Sequence, residues 1–243
     1  VSITTPASNH FFSASLALKN NCHVFIEKPI VQNLQEAKKI IQLKQSQKKK
    51  VQVGHIERFN SAFSTFVATS PSPRFVEAHR LCAFNKRGLD VDVVLDLMIH
   101  DIDLVLCLIN SQIKNIYASG TAVLTDSIDM ANARLEFYNG AVANLTASRI
   151  SLKQMRQMRV FQKNSYSVLD FQSQQLNSWF VENTCALKEK SFIIPPKNAL
   201  FEELNSFINS ILNNLSEEVG AEEAIRALKI ASKIQRKIEQ NKK

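Results

Sequence analysis

The spacing of apolar residues divides the chain into two parts with different secondary-structure patterns. In the first part, residues 24–26 form a short apolar run that predicts a buried strand, which Pro29 ends. Asn33, with Glu36 three residues later, predicts the start of a helix, and residues 51–55 predict the next strand. This alternation of strand, helix and strand is typical of a parallel sheet with right-handed crossovers.

The second part is dominated by segments in which apolar and polar residues alternate. Residues 75–84 predict a strand, and residues 91–109 predict a long apolar helix. Further strands are predicted at 116–123, 131–138, 141–148, 158–162, 167–171 and 176–181. Asn139-Gly140 predicts a two-residue hairpin loop between two of these strands. Amphipathic helices are predicted over 198–214 and 220–240.

These patterns predict an α/β fold in two domains. Residues 1–73 supply a parallel sheet, and residues 74–243 supply an α+β domain with a mostly antiparallel sheet. Pro71-Ser72-Pro73 suits a hinge between them, because proline restricts the backbone and the segment lacks apolar periodicity.

Ionisable residues within the apolar helix are the first candidates for chemistry. Asp96 and His100 are four residues apart, which places them on one face of an α-helix. A carboxylate that fixes an imidazole gives a general acid or base with a pKa near neutrality. The alternative is a core histidine whose hydrogen bonds are satisfied, together with a helix-capping aspartate.

A second candidate lies at the end of the predicted strand 24–26, where Glu27-Lys28-Pro29 follows the apolar run. Open α/β sheets bind ligands at the carboxyl ends of their strands, so these charged side chains are well placed for a ligand site. The alternative is a surface ion pair in a loop.

Composition excludes several other classes of function. The net charge is +8, but the lysines concentrate in 44–50 and 236–243, and no basic stripe with interleaved aromatic residues accompanies them. We therefore expect no nucleic-acid binding. No apolar run approaches the ~20 residues that span a bilayer, so no membrane partner is expected. The four cysteines are unclustered, which favours reduced thiols in the cytoplasm and no metal site.

The two charged motifs together resemble those of a known family. Glu27-Lys28-Pro29 after a strand and Asp96-x-x-x-His100 on a helix are similar to the glucose–fructose oxidoreductase / inositol dehydrogenase family of nicotinamide-dependent sugar dehydrogenases. The likeness to the family continues in segments 3–10, 52–60 and 77–80. Segments 89–103, 131–134 and 143–149 resemble more narrowly its bacterial UDP-N-acetylglucosamine 3-dehydrogenases of the lipid A pathway. The resemblance covers roughly residues 1–171.

The resemblance implies oxidation of a sugar hydroxyl, with NAD or alternatively NADP as the cofactor. His100 would be the base, Asp96 would orient it or bind a sugar hydroxyl, and Lys28 would stabilise the developing alkoxide. The implied cofactor-binding residues are Pro6, His10, Glu27, Lys28 and Pro29. Because arginine suits a diphosphate, the implied ligands of a nucleotide-sugar substrate are Arg58, Asn60, Arg80, Arg87 and Arg149. For any one arginine, the alternative is a solvated surface residue.

One departure from the family concerns glycine. Members carry Gly-x-Gly-x-x-Gly after their first strand, whereas the five glycines of this chain are too far apart for that motif. We expect residues 1–73 to be the C-terminal half of a Rossmann domain, with little activity in the 243 residues alone. Alternatives are a family enzyme for another polyol, a non-catalytic fragment, or a metal site at Asp96, His100 and Asp103. We also expect a homo-oligomer formed through the sheet of the second domain.

Overall fold

The first sheet of the protein is small and parallel. A computed structural model describes residues 1–85, 90–182 and 186–241. The sheet has the order β1-β2-β3 and consists of β1 (Ser2–Ile3), β2 (Val24–Glu27) and β3 (Val51–Gly54). Helices α1 (His10–Lys19) and α2 (Leu34–Ser46) connect the strands. The predicted parallel sheet is confirmed.

Helix α2 begins where its sequence predicts. The Asn33 side chain accepts hydrogen bonds from the backbone amides of Gln35 and Glu36, which satisfies two donors that the first helical turn leaves free. Helices α1 and α3 (Ser61–Ala68) were not predicted. Helix α1 has only a weakly amphipathic sequence, and α3 is short and largely apolar.

The second sheet consists of β4 (Phe75–Leu81), β5 (Ile113–Thr121), β6 (Met130–Phe137), β7 (Val142–Ser148), β8 (Met155–Gln162), β9 (Ser165–Asp170), β10 (Gln175–Glu182) and β11 (Ala186–Ser191). Their order in the sheet is β11-β10-β9-β8-β4-β7-β6-β5. Among these described strands only the pair β4–β7 is parallel, so the prediction of a mostly antiparallel sheet is confirmed. Strand β11 was not predicted because its residues are exposed and mostly polar.

The hairpin between β6 and β7 differs in detail from its prediction. Gly140 has φ +83° and donates to the Phe137 carbonyl, while the Phe137 amide donates to the Ala141 carbonyl. The loop is therefore a three-residue turn with glycine in the left-handed region, rather than a two-residue turn. Asn139 keeps a negative φ, which a type I′ turn does not allow.

The predicted apolar helix contains a change of helical type. Asp92 caps its start by accepting from the amides of Val94 and Leu95. A π-helical turn, Val94–Met98, then leads into α4 (Ile99–Leu108). Helix α4 packs against α6 (Ala221–Gln240), which also lies on β5 and α2. Helices α4 and α6 thus cover one face of the large sheet. Oligomerisation through the other face stays a prediction.

Helix α5 (Ala199–Leu212) brings a buried carboxyl group to the small sheet. Gln52 donates from Nε2 to the backbone carbonyl of Glu203 at 2.9 Å. The Glu203 side chain is fully buried, and its oxygens have no hydrogen-bond partner among the described residues. Burial, reinforced by the negative charge of Glu27, raises the pKa of Glu203 to about 8. The carboxyl is therefore protonated at neutral pH in the folded protein.

Glu203 should make stability depend on pH. Its pKa is raised above the ordinary value of 4.5. The contribution of this carboxyl to the free energy of unfolding is therefore fully present below pH 4.5 and is lost as the pH rises towards about 8. Between pH 5.5 and 8.5 the free energy of unfolding of the wild type should fall, and Glu203→Gln should make this fall smaller by roughly 2–3 kcal/mol. Urea unfolding at both pH values measures it. Glu202→Gln, on the same helix and partly exposed, is the matched control. Equal pH slopes for wild type and Glu203→Gln would contradict the assignment.

Within the described parts of the chain, no helix has both the length and the apolar character needed to cross a bilayer.

Candidate functional site

The residues that carry the candidate chemistry lie where the end of β2 contacts the π-helical turn, and this partly exposed junction around Lys28 and Asp96 is called the crevice below. Lys28 follows β2 directly, and its Nζ donates to Asp96 in the π-helical turn. The distances are 2.5 Å to the Asp96 carbonyl and 2.9 Å to Oδ1. The two side chains keep 18% and 27% of their surface exposed, so a ligand can reach this ion pair. The two predicted motifs are thus joined by direct contact.

Asp96 and His100 lie in turns of different helical type. Asp96 is in the π-helical turn and His100 is in the first turn of α4, whereas their spacing in the sequence predicted one continuous α-helix. Asp96 is bound by Lys28, and among the described residues no hydrogen bond links it to His100. A partnership of Asp96 with a substrate hydroxyl therefore fits the geometry better than orientation of His100.

His100 is held neutral by its surroundings. Its ring is partly buried, and Nδ1 is enclosed without a hydrogen-bond partner in the described chain. Burial and the positive charges of Lys28 and Arg80 hold the pKa of His100 well below its usual range. The expectation of a pKa near neutrality is thus not met. A neutral imidazole is nevertheless the form that can accept a proton.

The residues expected to bind cofactor lie at the carboxyl ends of β1 and β2, but they differ in exposure. His10 is buried, and its ring nitrogens lie 2.8 Å from the Pro29 carbonyl and 2.9 Å from the Thr5 carbonyl. It therefore joins the ends of β1 and β2 instead of lining the crevice. Pro29 is also buried. Pro6 is exposed at the end of β1, and Glu27 and Lys28 are half-buried.

These strand ends suit the ribose and amide groups of a nicotinamide nucleotide. Lys28 supplies donors, and the Glu27 carboxylate supplies acceptors beside them. The Glu27 carboxylate packs on Gly54 so closely that a Cβ at that position would lie 2.9 Å from Oε2. Burial raises the pKa of Glu27 despite the nearby Lys28 charge. Donors and acceptors thus share a crevice at the place where parallel sheets bind nucleotides.

The arginines predicted to bind a diphosphate are engaged in internal ion pairs. Arg58 makes a two-pronged contact with Asp103 at 2.6 and 2.9 Å. Arg80 does the same with Asp101 at 3.1 and 2.8 Å, and it also donates to Glu57 at 2.6 Å. The prediction that these two bind substrate is corrected, because their donors already neutralise buried carboxylates. The pairing of Asp103 with Arg58 also disfavours the metal alternative.

Two further predicted substrate ligands have structural roles. Arg149 is 4% exposed and binds Asp129, whose pKa is lowered by hydrogen bonds from the Val123 amide, Thr125 and the Leu124 amide, although burial opposes this. Asn60 is buried and caps α3 by accepting from the Ala62 amide. Both predictions are therefore corrected. Arg87 lies outside the described residues.

Two residues of the site were not predicted from the sequence. Arg156 is exposed at the start of β8, directly across from Arg80 of β4, and its charge acts on His100. His55 follows β3 and lies beside the His100 ring. Strand pairing identifies Arg156, and the sequence alone could not supply that pairing. His55 is a single histidine at the end of the predicted strand 51–55, which by itself gives no signal of a functional role.

Comparisons with known proteins agree with this geometry. Residues 1–55 match the model of an oxidoreductase family with an NAD-binding Rossmann fold, and residues 45–164 match the GFO/IDH/MocA C-terminal domain. A UDP-N-acetylglucosamine 3-dehydrogenase from Acidithiobacillus ferrooxidans is 37% identical over 217 residues, which are 87% of this chain and 69% of that protein. A scyllo-inositol 2-dehydrogenase (NAD+) from Bacillus subtilis is 25% identical and covers 62% of this chain and 48% of its own length.

Solved structures show the same fold. A structure of the Acidithiobacillus ferrooxidans UDP-N-acetylglucosamine 3-dehydrogenase has a TM-score of 0.94 at 34% identity, covering 99% of this chain and 79% of that one. An inositol dehydrogenase homologue from Azotobacter vinelandii, complexed with NADH and myo-inositol, has a TM-score of 0.81 at 15% identity, covering 99% and 76%. With both domain models matched in order and a relative at this level of identity, the chain belongs to the GFO/IDH/MocA family of NAD-binding oxidoreductases.

Proposed function

We propose that this protein is a sugar dehydrogenase that oxidises the 3-hydroxyl of UDP-N-acetylglucosamine with NAD. The observation that carries the proposal is the contact of Lys28 with Asp96 beside a neutral His100, at the carboxyl ends of the parallel strands. The similarity to a UDP-N-acetylglucosamine 3-dehydrogenase supports the choice of substrate. A family enzyme acting on another polyol is the second candidate, since an inositol dehydrogenase is also similar.

Lys28 acts on the oxygen of the reacting alcohol. When bound, NAD supplies the acceptor for the hydride that leaves the carbon bearing that hydroxyl. The Lys28 ammonium is partly exposed and has one N–H donor besides the two engaged by Asp96. As the hydroxyl loses its proton, negative charge develops on the oxygen, and Lys28 stabilises it. Asp96 holds the ammonium in place and offers an acceptor to a neighbouring sugar hydroxyl.

His100 takes the hydroxyl proton. Its Nδ1 is enclosed, whereas Nε2 is not among the enclosed, unpartnered atoms of the described chain. We therefore assign Nε2 as the atom that receives the proton. The ring becomes an imidazolium, which the nearby positive charges disfavour. In the reverse reaction His100 therefore readily returns the proton to the sugar oxygen, so the same residue serves both directions.

Arg156 is the residue that we propose for the negatively charged part of the substrate. It is exposed, it lies within electrostatic reach of His100, and no ion pair to it is observed among the described residues. A free guanidinium can bind a diphosphate through two parallel hydrogen bonds. We therefore propose Arg156 as the diphosphate ligand in place of Arg58, Arg80 and Arg149, which are engaged in internal ion pairs.

A substrate panel with the natural protein tests the proposal. NADH formation is followed with UDP-N-acetylglucosamine, N-acetylglucosamine, glucose and myo-inositol. We expect kcat/KM for the nucleotide sugar to exceed the others by at least about a hundredfold, because a lost charged pair costs several kcal/mol. Arg156→Gln should raise KM for the nucleotide sugar and leave the unphosphorylated sugars unaffected. Arg134→Gln, a half-exposed arginine on β6 that already pairs with Glu136, is the control.

The outcomes separate the two levels of the proposal. A preference for an unphosphorylated polyol would reject the nucleotide sugar and retain the dehydrogenase. Absence of NADH formation with every substrate would reject both.

A further inference from the structure

A second histidine, His55, lies beside His100 in the buried layer beneath the crevice. Its side chain is 1% exposed, and the two rings meet edge-on with centroids 6.3 Å apart and an interplanar angle of 84°. Both ring nitrogens of His55 and Nδ1 of His100 are buried without a hydrogen-bond partner in the described chain. Buried polar groups are almost always hydrogen-bonded, so three such nitrogens together call for an explanation.

The charges around the two rings favour one arrangement. Asp103 Oδ2 lies 3.8 Å from Nδ1 of His55, and Asp103 is itself held by Arg58. Burial lowers the pKa of His55, with the Arg58 and Lys28 charges acting in the same direction, so the ring is neutral at neutral pH. The charges that act on His100 are those of Lys28, Arg80 and Arg156. Lys28 pairs with Asp96, Arg80 pairs with Asp101 and Glu57, and Arg156 has no ion pair among the described residues.

A neutral imidazole has one nitrogen that donates and one that accepts. Because the Asp103 carboxylate faces Nδ1 of His55, the favoured tautomer carries its hydrogen there and leaves Nε2 as an acceptor. His100 can receive a proton at Nε2 only when its hydrogen is on Nδ1. That hydrogen points into the enclosed region and needs an acceptor. The acceptor side of His55 is suited to receive it.

We propose that His55 is a positioning residue that accepts a hydrogen bond from Nδ1–H of His100, directly or through one water molecule, and keeps Nε2 free for the substrate proton. This rests on the proposed role of His100 as the base. The Asp103 carboxylate faces the other nitrogen of His55, and from there it stabilises the positive charge that His100 acquires. The present separations exceed hydrogen-bond length, as catalytic contacts commonly do before substrate binds.

His55→Phe tests the proposal because it keeps an aromatic ring and removes both nitrogens. We expect kcat to fall about 10- to 100-fold, the size of effect seen when a group that orients an imidazole is lost. KM for the sugar should change less than about twofold, and the melting temperature should stay equal or rise, because two unpartnered buried nitrogens disappear. His55→Gln, which restores an acceptor, should recover part of kcat. His23→Gln, at the opposite end of β2, is the control.

Nitrogen NMR of histidine-labelled protein gives a readout that needs no turnover. The chain has five histidines, and the spectrum of His100→Gln identifies the signal of His100. We expect His100 to carry its hydrogen on Nδ1 in the wild type and to become a mixture of tautomers in His55→Phe. In His55→Phe, the acid limb of the pH dependence of kcat/KM should also shift.

The two proposals fail in different ways. An active wild type whose His100 tautomer and kcat are both unchanged by His55→Phe would overturn the positioning role. A wild type without dehydrogenase activity, in which His55→Phe still changes the tautomer, would remove the proposed function but retain the contact between the histidines.

Discussion

His100→Ala is expected to lower kcat of the natural protein by about two to four powers of ten, the usual contribution of a general base. The ring is partly buried among Lys28, Arg80 and His55, and it is held neutral and ready to accept a proton. Steady-state kinetics with the nucleotide sugar measure the loss. The fall should appear equally in kcat and kcat/KM, because the base acts in the transition state.

A matched variant keeps this result interpretable. His79→Ala removes a half-buried histidine from β4, away from the crevice, and should leave kcat within about twofold. Circular dichroism and the melting temperature of both variants show whether the fold is intact. Turnover near the wild-type level in folded His100→Ala would remove His100 from the role of base.

Arg80→Met is expected to destabilise the protein by about 3–5 kcal/mol, since it leaves buried carboxylates without their counter-charge. Arg80 is 4% exposed and bridges Asp101 of α4 to Glu57, which is also buried. Methionine fills much of the same volume, so the loss reports the charge more than the packing. Urea unfolding at pH 7 measures it.

Arg159→Met is the comparison for this second prediction. Arg159 lies on β8 next to β4 and pairs with Glu77 at 2.7 Å, but the pair is exposed by 42% and 29%. Solvent screens such a pair, so its loss should cost less than about 1 kcal/mol. If the two variants lost the same stability, the network around Arg80 would not be acting as a buried ion pair.

Local sequence signals were enough to predict most of the fold. The Asn33 cap, the apolar run before Pro29 and the alternation in β6 and β7 each depend on neighbours within a few residues. Such signals survive in the folded protein because tertiary packing reinforces them. Strand β11 lacks the alternation, which is why no strand was predicted there.

The candidate site was only partly predictable, because its contacts join distant segments. Lys28 and Asp96 were named separately, but their 2.9 Å contact depends on how the two sheets pack. The π-helical turn that contains Asp96 leaves no periodic signal in an apolar run. Arg58 and Arg80 appear as free cations in a sequence, and only the fold shows that Asp103 and Asp101 neutralise them.

The contact between Lys28 and Asp96 also limits how this enzyme can be recombined. Pro71 to Pro73 looks like a convenient point at which to exchange one domain for that of a relative. However, the ammonium comes from one side of that point, and both of its acceptor atoms come from the π-helical turn on the other. A chimera that takes its cofactor domain from a relative has a working site only if the lysine of that relative reaches both Asp96 acceptors in the retained helical turn. Exchange of cofactor domains therefore has to be matched to this turn.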